Sequence, residues 1–323
     1  MNTREGAGAW DRRLTIAVIE KNRGPYWDMV NAGWRDAAER WGLDLVFEAP
    51  EYESVDDQVQ AMRRHLVDGA DGLAFVATRE SAFDEVVAEA AGRCVPVVTF
   101  DLDAPASGRA LYVGMPTPVE LGRQAGRLLA QRVPAGARVL AQTGSAKAPG
   151  AAGKLRGFRE AMAEAGIEVV GGDDDGERLD VAAANVSTML AEHPDIAGCY
   201  GVYGYHAAIQ AAAVEAVGRT GQVAIVGNDM LPETAAAIRN GTVFASIWIR
   251  EYYFGYYAAA AIAMAARMGT ADALTLLGFD PVRFEDNQRR LRPQVITAEN
   301  LEGFEQWAGE HDVFGRTAAT TGR

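Results

Sequence analysis

The chain has 323 residues, of which 49% are apolar and 23% are charged, a composition typical of globular proteins and not of disordered or fibrous ones. Its length allows two lobes of ordinary domain size, each with its own core. Acidic residues outnumber basic ones by 44 to 31, for a formal charge of −13, so the chain lacks the basic surface that binding to nucleic acid needs.

From Leu14 the sequence alternates between apolar strands and helical stretches. The predicted strands of this first part are LTIAVIE, DLVFEA, GLAFVA and VPVVTF, and the predicted helices cover residues 26–41, 56–67 and 81–91. The strands are continuously apolar and rich in β-branched residues. Such strands in β-α-β order predict a parallel sheet with helices on both faces.

The same alternation begins again after LYVGM. Thr117, Pro118 and Glu120 have the spacing of a helix start with a capping box. The strands ARVLAQTG, IEVVGG, IAGCYGVYG and QVAIVGND then alternate with helices predicted near residues 153–165, near 179–193 and up to 217. The predicted fold class is therefore α/β, with two doubly wound parallel-sheet lobes.

Several conspicuous residues are predicted to have structural roles. Cys94 and Cys199 each lie beside an apolar run and are expected to be buried, unpaired thiols. The acidic run in GGDDDGE, residues 173–175, is expected to be a solvated turn. The apolar run from Ala258 is too short to span a bilayer and predicts a buried helix. No metal site is predicted, because the histidines follow no metal-ligand spacing; they are His65, His193, His206 and His311.

Two such lobes predict a cleft between the carboxyl ends of two sets of strands, where open parallel sheets bind ligands. The residues near the predicted strand ends are rich in carboxylates and aromatic rings. These groups suit a polyol, because rings stack on its C–H faces and carboxylates accept hydrogen bonds from its hydroxyls. The predicted ligand-binding residues are Glu20, Asn22, Tyr26, Trp27, Asp101, Asp103, Lys154, Tyr203, Asp229 and Arg250.

The stretch FDLDAP also allows a catalytic interpretation. Phosphatases of the haloacid dehalogenase type have a strand that ends in D-x-D, with a nucleophile and a general acid. Here Ala104 and Pro105 follow Asp103, where that motif needs a small turn and a threonine, and the stretch ends the fourth strand instead of the first. GSAKAPGAAGKL is not a phosphate loop, since Lys154 precedes Leu155 instead of a hydroxyl residue. We therefore predict no enzyme activity and no cofactor.

Four stretches, in their order and spacing, carry a resemblance to a known family: IAVIEKNRGPYWDMVNAGW, VPVVTFDLDA, GFREAM and AIVGNDMLPETAAAIRNGTVFASIWI. Over nearly the whole chain, from about Leu14 to about Glu302, the sequence resembles type I periplasmic solute-binding proteins of sugar ABC transporters, the ribose-binding-like group. The resemblance implies that a segment of residues 24–27 caps the first helix and stacks on a sugar. It also implies that Asp101 and Asp229 hold sugar hydroxyls.

At other positions the sequence departs from that family's pattern. Leu102 and Ala152 stand where relatives have arginines, with Asp103 and Lys154 close by in sequence. Ile249 replaces a glutamine and is followed by arginine, and the asparagine expected near the end of IAGCYGVYG is missing. These departures leave a pentose, an aldopyranose, a polyol, a cyclitol or a modified sugar as alternatives for the ligand.

The resemblance also implies a domain organisation. The chain would pass between the lobes three times, near Met115, Trp248 and Leu291, and so form a hinge. The expected N-terminal lobe comprises residues 14–115 and 250–291, the expected C-terminal lobe comprises residues 116–249 and 292–312, and residues 1–13 and 313–323 are expected to be flexible tails.

The function that the resemblance implies is that of an extracytoplasmic component of an ABC importer. It would capture a small sugar or polyol by hinge closure, act as a monomer and present its closed form to the permease. The implied location is periplasmic or that of a membrane-anchored lipoprotein. Since MNTREGAGAWDRR contains no apolar segment, this location implies that a signal was removed.

Two alternatives have a basis in the residues. Aromatic rings with carboxylates also suit an amine, so a sensor that binds a cationic or modified-sugar ligand stays open. A LacI-type repressor core shares this fold, but its helix-turn-helix module is absent ahead of the first strand, which begins near Leu14.

Overall fold

The computed structural model describes residues 12–24, 26–283 and 286–314. Its strands are β1 (Leu14–Ile19), β2 (Leu43–Glu48), β3 (Gly72–Phe75), β4 (Val97–Asp101), β5 (Leu111–Gly114), β6 (Arg138–Thr143), β7 (Glu168–Asp174), β8 (Ile196–Gly201), β9 (Ala224–Asn228), β10 (Ala245–Trp248), β11 (Gln288–Arg290) and β12 (Gln294–Ile296). Its helices are α1 (Tyr26–Trp41), α2 (Val55–Val67), α3 (Asp84–Gly92), α4 (Pro118–Ala130), α5 (Pro149–Glu164), α6 (Leu179–Glu192), α7 (His206–Ala216), α8 (Pro232–Arg239), α9 (Tyr252–Met268), α10 (Thr270–Leu276) and α11 (Leu301–Glu310). Most of the predicted tails, residues 1–11 and 315–323, and also Pro25, lie outside the described residues.

The chain divides into two compact units. Among the described residues, unit 1 consists of residues 12–114, 250–291 and 311–314, and unit 2 of residues 115–249 and 292–310. Unit 1 is therefore built from segments that are far apart in the sequence, whereas most of unit 2 is one continuous segment.

Each unit contains one six-stranded sheet. The strand order is β11-β5-β4-β3-β1-β2 in unit 1 and β12-β10-β9-β8-β6-β7 in unit 2. Every residue of β3, β4 and β5 is buried, as expected for strands that helices cover on both faces. This architecture confirms the predicted α/β fold class.

One strand of unit 2 departs from the parallel arrangement that the sequence predicted. β12 pairs with β10 in antiparallel orientation, with Ser246 opposite Ile296, whereas the other strand pairs of the two sheets are parallel. Only a few residues separate β12 from β11, a strand of unit 1, and these short edge strands carried no pattern that the sequence analysis recognised.

Glycines allow helices to pack closely in both units. In unit 1, a Cβ on Gly33 of α1 would overlap the carbonyl oxygen of Tyr252 in α9. In unit 2, a Cβ on Gly122 of α4 would likewise overlap the carbonyl oxygen of Lys154 in α5. This close packing fixes α1 and α5, the helices that carry predicted ligand-binding residues at or near their first turns.

The helix starts were predicted with mixed success. The capping box of α4 is confirmed, since Glu120 N donates to Thr117 Oγ1 and Glu120 Oε2 accepts from Thr117 N. α3 begins at Asp84 instead of residue 81, because Phe83 is buried against Phe75 and turns the preceding residues away from the helix. α5 begins four residues before Gly153, at Pro149, whose fixed φ suits the first helical position.

The prediction of two buried thiols is wrong for one cysteine. Cys199 is buried, but Cys94 is exposed in the turn after α3, with a φ of 59°. Among the described residues, no helix has the length and apolarity needed to cross a membrane. In that same part of the chain, no cluster of His, Cys, Asp and Glu is arranged to hold a metal ion.

Candidate functional site

Asp101 ends β4 of unit 1 in an unusual backbone conformation. Its φ is 62°, the left-handed region that non-glycine residues other than Asn and Asp seldom adopt. Its carbonyl oxygen accepts a hydrogen bond from Tyr112 Oη at 2.7 Å, and its Oδ1 accepts one from Tyr26 Oη at 2.8 Å. A side chain on Gly114 would overlap the Tyr112 hydroxyl, so glycine is needed there to keep this bond. The strand end therefore presents a fixed carboxylate beside an aromatic ring.

The start of α1 brings three more predicted residues to the same region. The rings of Tyr26 and Trp27 meet edge to face with centroids 4.9 Å apart, and Trp27 Nε1 donates to Asn22 Oδ1 at 3.2 Å. Trp27 is only 2% exposed and also packs against Phe100. Its indole thus lies in the packed interior, whereas Tyr26 is half-buried, and the stacking on a sugar expected of both rings stays a prediction.

Asp103 does not share the environment of Asp101, although one residue separates them. Its two oxygens accept hydrogen bonds from Arg109 Nε and Nη2, each at 2.8 Å. Asp103 Oδ1 also accepts from Thr99 Oγ1 and from the N–H of Ala104. Arg109 is fully buried, so this ion pair belongs to the scaffold of unit 1. Asp103 is thus held by scaffold contacts, and its predicted role in ligand binding stays a prediction.

Glu20 follows β1 and is 6% exposed. Its Oε1 accepts a hydrogen bond from Asn31 Nδ2 at 2.8 Å, and its backbone carbonyl accepts from Gln58 Nε2 at 3.0 Å. Burial raises the pKa of Glu20 to about 7, and the charge of Asp28 adds to the rise, whereas the hydrogen bond from Asn31 opposes it. The protonation of this carboxyl therefore changes near neutral pH.

Asp229 in unit 2 directly follows β9 and repeats the arrangement of Asp101. Its φ is 61°, and its carbonyl oxygen accepts a hydrogen bond from Ser246 Oγ at 2.6 Å. Its N–H donates to the carbonyl of Ile247 at 2.9 Å. The preceding Asn228 is fully buried and donates to Tyr200 Oη at 2.7 Å. Hydrogen bonds with the neighbouring strand thus fix the backbone that carries a second carboxylate at a strand end.

Tyr203 lies in the loop after β8, close in sequence to a buried network that was not predicted from the sequence. Its N–H donates to His206 Nδ1 at 3.0 Å, and His206 Nε2 contacts Asp175 Oδ2 at 2.7 Å. Tyr205 Oη donates to the other oxygen of Asp175 at 2.7 Å. Asp175 is 3% exposed, so the prediction of a solvated turn for the whole acidic run is wrong at this residue. No local pattern indicated the pairing, since the partners lie 31 residues apart.

The two predicted cations lie in different units. Lys154 of α5 belongs to unit 2, is half-buried and donates from Nζ to the carbonyl of Val202 at 3.3 Å, close to the loop that holds Tyr203. Arg250 belongs to unit 1, has a φ of 67° and places Cζ 4.5 Å from the ring centroid of Tyr253. Arg250 is the third predicted site residue with a left-handed backbone, after Asp101 and Asp229.

In unit 1 the structure thus brings together Asn22, Tyr26, Trp27 and Asp101 through direct contacts. In unit 2 it places Lys154, Tyr203 and Asp229 around neighbouring strand ends. A left-handed backbone is strained for most residues and persists only where surrounding contacts hold it. Residues held in this way cluster at binding and active sites. Both strand ends can offer a fixed carboxylate and an aromatic ring to a polar ligand.

Comparison with known proteins connects this geometry to a family. Residues 16–271 match the family described as periplasmic binding protein domain. The D-ribose/D-allose-binding protein of Pseudomonas aeruginosa is 29% identical over 195 residues, which are 58% of this chain and 61% of that protein. The periplasmic protein TorT of Escherichia coli is 29% identical over 185 residues, which are 56% of this chain and 52% of that one. The chain thus spans about half to three fifths of the curated relatives that it matches.

A solved structure extends the likeness to the fold. GanP, a glucose-galactose binding protein from Geobacillus stearothermophilus, is 28% identical and superposes with a TM-score of 0.73, covering 90% of this chain and 99% of that chain. Two of the three proteins compared are described as sugar-binding proteins, and none is described as an enzyme.

Proposed function

Because this chain belongs to the periplasmic binding protein domain family, we propose that it captures a small sugar or polyol. The groups at the strand ends have the chemistry for this task. The carboxylates of Asp101 and Asp229 accept hydrogen bonds from hydroxyls, and the rings of Tyr26 and Tyr203 offer faces to C–H groups. The observation that carries the proposal is the repetition, in both units, of a clamped left-handed aspartate at the end of a buried strand.

The proposed role in the cell is that of the extracytoplasmic binding component of an ABC importer. The sugar-binding relatives and the periplasmic relative support this assignment. The permease that accepts the loaded protein is a proposed partner, and the proposed oligomeric state is a monomer. Loss of uptake of the bound sugar in cells that lack the gene would support the transport role, and light scattering would test the monomer.

The proposal is tested directly by sugar binding. Purified protein is heated with D-ribose, D-allose, D-glucose or D-galactose, and binding is confirmed by calorimetry. A sugar that binds only the native state stabilises that state by about 2.7 kcal/mol when its free concentration is about 100 times its Kd. The melting temperature then rises. Choline and putrescine serve as probes for a cationic ligand. Stabilisation by these cations and by none of the sugars would contradict the proposal.

The hinge closure predicted from the sequence stays a prediction. Ligand that binds a closed form more tightly shifts the population toward that form. X-ray scattering in solution, measured with and without the sugar that binds, would test it through the radius of gyration. No change on saturation would contradict closure but would leave sugar binding standing.

A further inference from the structure

The buried pair of Asp175 and His206 in unit 2 has no role in the proposed contacts with sugar, yet both side chains make several hydrogen bonds. His206 has no exposed surface, and its Nε2 lies 2.7 Å from Asp175 Oδ2. The other oxygen of Asp175 accepts hydrogen bonds from Tyr205 Oη at 2.7 Å and from the N–H of Glu177 at 2.9 Å. A carboxylate and an imidazole buried with this many partners have a specific orientation.

The contacts fix the tautomer of the His206 ring. Nδ1 faces the N–H of Tyr203 at 3.0 Å, and because a backbone N–H can only donate, Nδ1 must be the acceptor nitrogen. The ring proton therefore lies on Nε2 and is donated to Asp175. A neutral imidazole satisfies both neighbours, whereas a doubly protonated one would place two N–H donors against each other at Tyr203.

Burial and the charged neighbours of the ring shift the pKa of His206 in opposite directions. Burial lowers the pKa of His206, the hydrogen bond from its ring to Asp175 opposes this effect, and the charge of Lys154 adds to the lowering. Burial alone would raise the pKa of Asp175, but hydrogen bonds from His206 and Tyr205 keep it below the ordinary value. Asp175 is therefore a carboxylate and His206 a neutral ring near pH 7.

The pair also connects the loops that follow three neighbouring strands of unit 2. Asp175 N donates to the carbonyl of Thr143, at the end of β6, at 3.2 Å. A Cβ on Gly144 would lie 2.7 Å from Tyr205 Oη and 3.1 Å from Tyr203 Cζ, so the two tyrosines pack directly on this glycine. The loops after β6, β7 and β8 thus depend on one another, and Asp175 and His206 lie at their centre.

We propose that Asp175 and His206 are positioning residues for sugar recognition, which hold Tyr203 and Tyr205 at the carboxyl end of the second sheet and release them when His206 takes up a second proton. This inference rests on the proposed function. Protonation of Nδ1 breaks the hydrogen bond from Tyr203 N–H, because the acceptor becomes a donor. Sugar affinity should therefore fall in acid through a group that touches no sugar.

The test compares wild-type protein with His206→Asn, which keeps an acceptor near the position of Nδ1 but cannot be protonated. Calorimetry measures affinity for D-ribose, D-allose, D-glucose and D-galactose from about pH 8 down to the most acidic pH at which the protein stays folded, because burial lowers the pKa of His206. Wild-type protein should lose about tenfold in affinity toward the acid end, as expected for one lost hydrogen bond, whereas His206→Asn should lose much less. Both proteins contain Glu20, so the difference between the profiles reports on the buried pair of His206 and Asp175. The matched control is His193→Asn in the same unit, which should keep the wild-type profile.

A second measurement needs no sugar. Long-range proton–nitrogen NMR spectra of the wild-type imidazoles should show His206 with an acceptor Nδ1 and a protonated Nε2 at neutral pH, and the Tyr203 amide should shift as the ring is protonated. A doubly protonated ring at neutral pH, or equal acid losses in wild-type and His206→Asn protein, would overturn the inference. If no sugar binds wild-type protein, the proposed function fails, whereas the NMR titration still decides whether the ring controls the Tyr203 amide.

Discussion

Asp101 and Asp229 occupy the same place in two separate sheets, each at the end of the third strand in its sheet's order, with φ values of 62° and 61°. In both cases a hydroxyl from the next strand donates to the aspartate carbonyl, from Tyr112 in unit 1 and from Ser246 in unit 2. A left-handed conformation costs an ordinary residue about 1–2 kcal/mol, and Asp is among the few that adopt it. The same left-handed backbone conformation thus occurs in both sheets, with a different hydroxyl donor to the aspartate carbonyl in each.

Replacing either aspartate by asparagine should weaken sugar binding with little effect on folding. Asparagine adopts the left-handed conformation as readily, so it removes the charge and leaves the backbone in place. Asp101→Asn and Asp229→Asn should each lower the affinity by about 1.5–3 kcal/mol, the contribution of a hydrogen bond to a charged group. Calorimetry measures the affinity and urea unfolding the stability. Full affinity in both variants would remove these residues from the proposed site.

Arg109→Met should destabilise unit 1, because it leaves Asp103 partly buried without its partner. Removing one member of a buried ion pair costs about 3–5 kcal/mol, whereas replacing both members by apolar residues is often neutral. The double variant Arg109→Met with Asp103→Leu should therefore recover much of the loss in urea unfolding. Arg63→Met is the control, since Arg63 pairs with Glu89 at the surface, where solvent and salt screen the pair and it contributes little to stability. Equal effects of the two single variants would contradict the scaffold role of Asp103.

Glu20→Gln should stabilise the protein at high pH and lose that advantage in acid. The pKa of Glu20 is raised to about 7 in the folded protein and is 4.5 without its surroundings. The folded state therefore holds a proton that the unfolded chain releases between these values, so wild-type stability falls as pH rises from 4.5 to about 7. Above that range the variant should gain about 1–3 kcal/mol in urea unfolding. A gain that does not depend on pH would contradict the assignment, and exposed Glu80→Gln is the matched control.

Gly33→Ala should separate α1 from α9. Its Cβ would overlap a backbone carbonyl that cannot move without shifting the helix, so the cost should exceed the 1–3 kcal/mol typical of overpacking. Gly303→Ala is the control, because Gly303 is exposed on α11 and has open space around its Cβ position. There alanine should stabilise by about 0.5–1 kcal/mol. Thermal unfolding measures the stability of both variants. Wild-type stability of Gly33→Ala would show that α1 and α9 can move apart at little cost in free energy.

The fold class was predictable because its signal is local. Continuously apolar strands and amphipathic helices repeat along the chain, and the capping box of α4 is visible in three residues. The start of α3 was not predictable, since it depends on Phe83 packing against Phe75 from another element. The antiparallel β12 likewise follows from tertiary pairing that short edge strands do not encode.

The candidate site was predictable only in part, for the same reason. Strand ends nominate Asp101 and Asp229, but their backbone angles depend on hydroxyls from neighbouring strands. Asp103 resembles Asp101 in the sequence, but in the fold it pairs with the buried Arg109. The network of Asp175 and His206 was missed because burial of one carboxylate in an acidic run is a property of the folded loops and not of composition.

The division of the chain into units also affects the order in which the two units can complete their folding during synthesis. Unit 1 needs α9 and β11, which are made only after most of unit 2 has been translated. In a chain that grows from its N-terminus, the first unit stays incomplete, with the face of α1 that packs on α9 uncovered, until residue 268 has left the ribosome. Most of unit 2 is available earlier as one continuous segment. The part of the protein that is translated first must therefore complete its folding late.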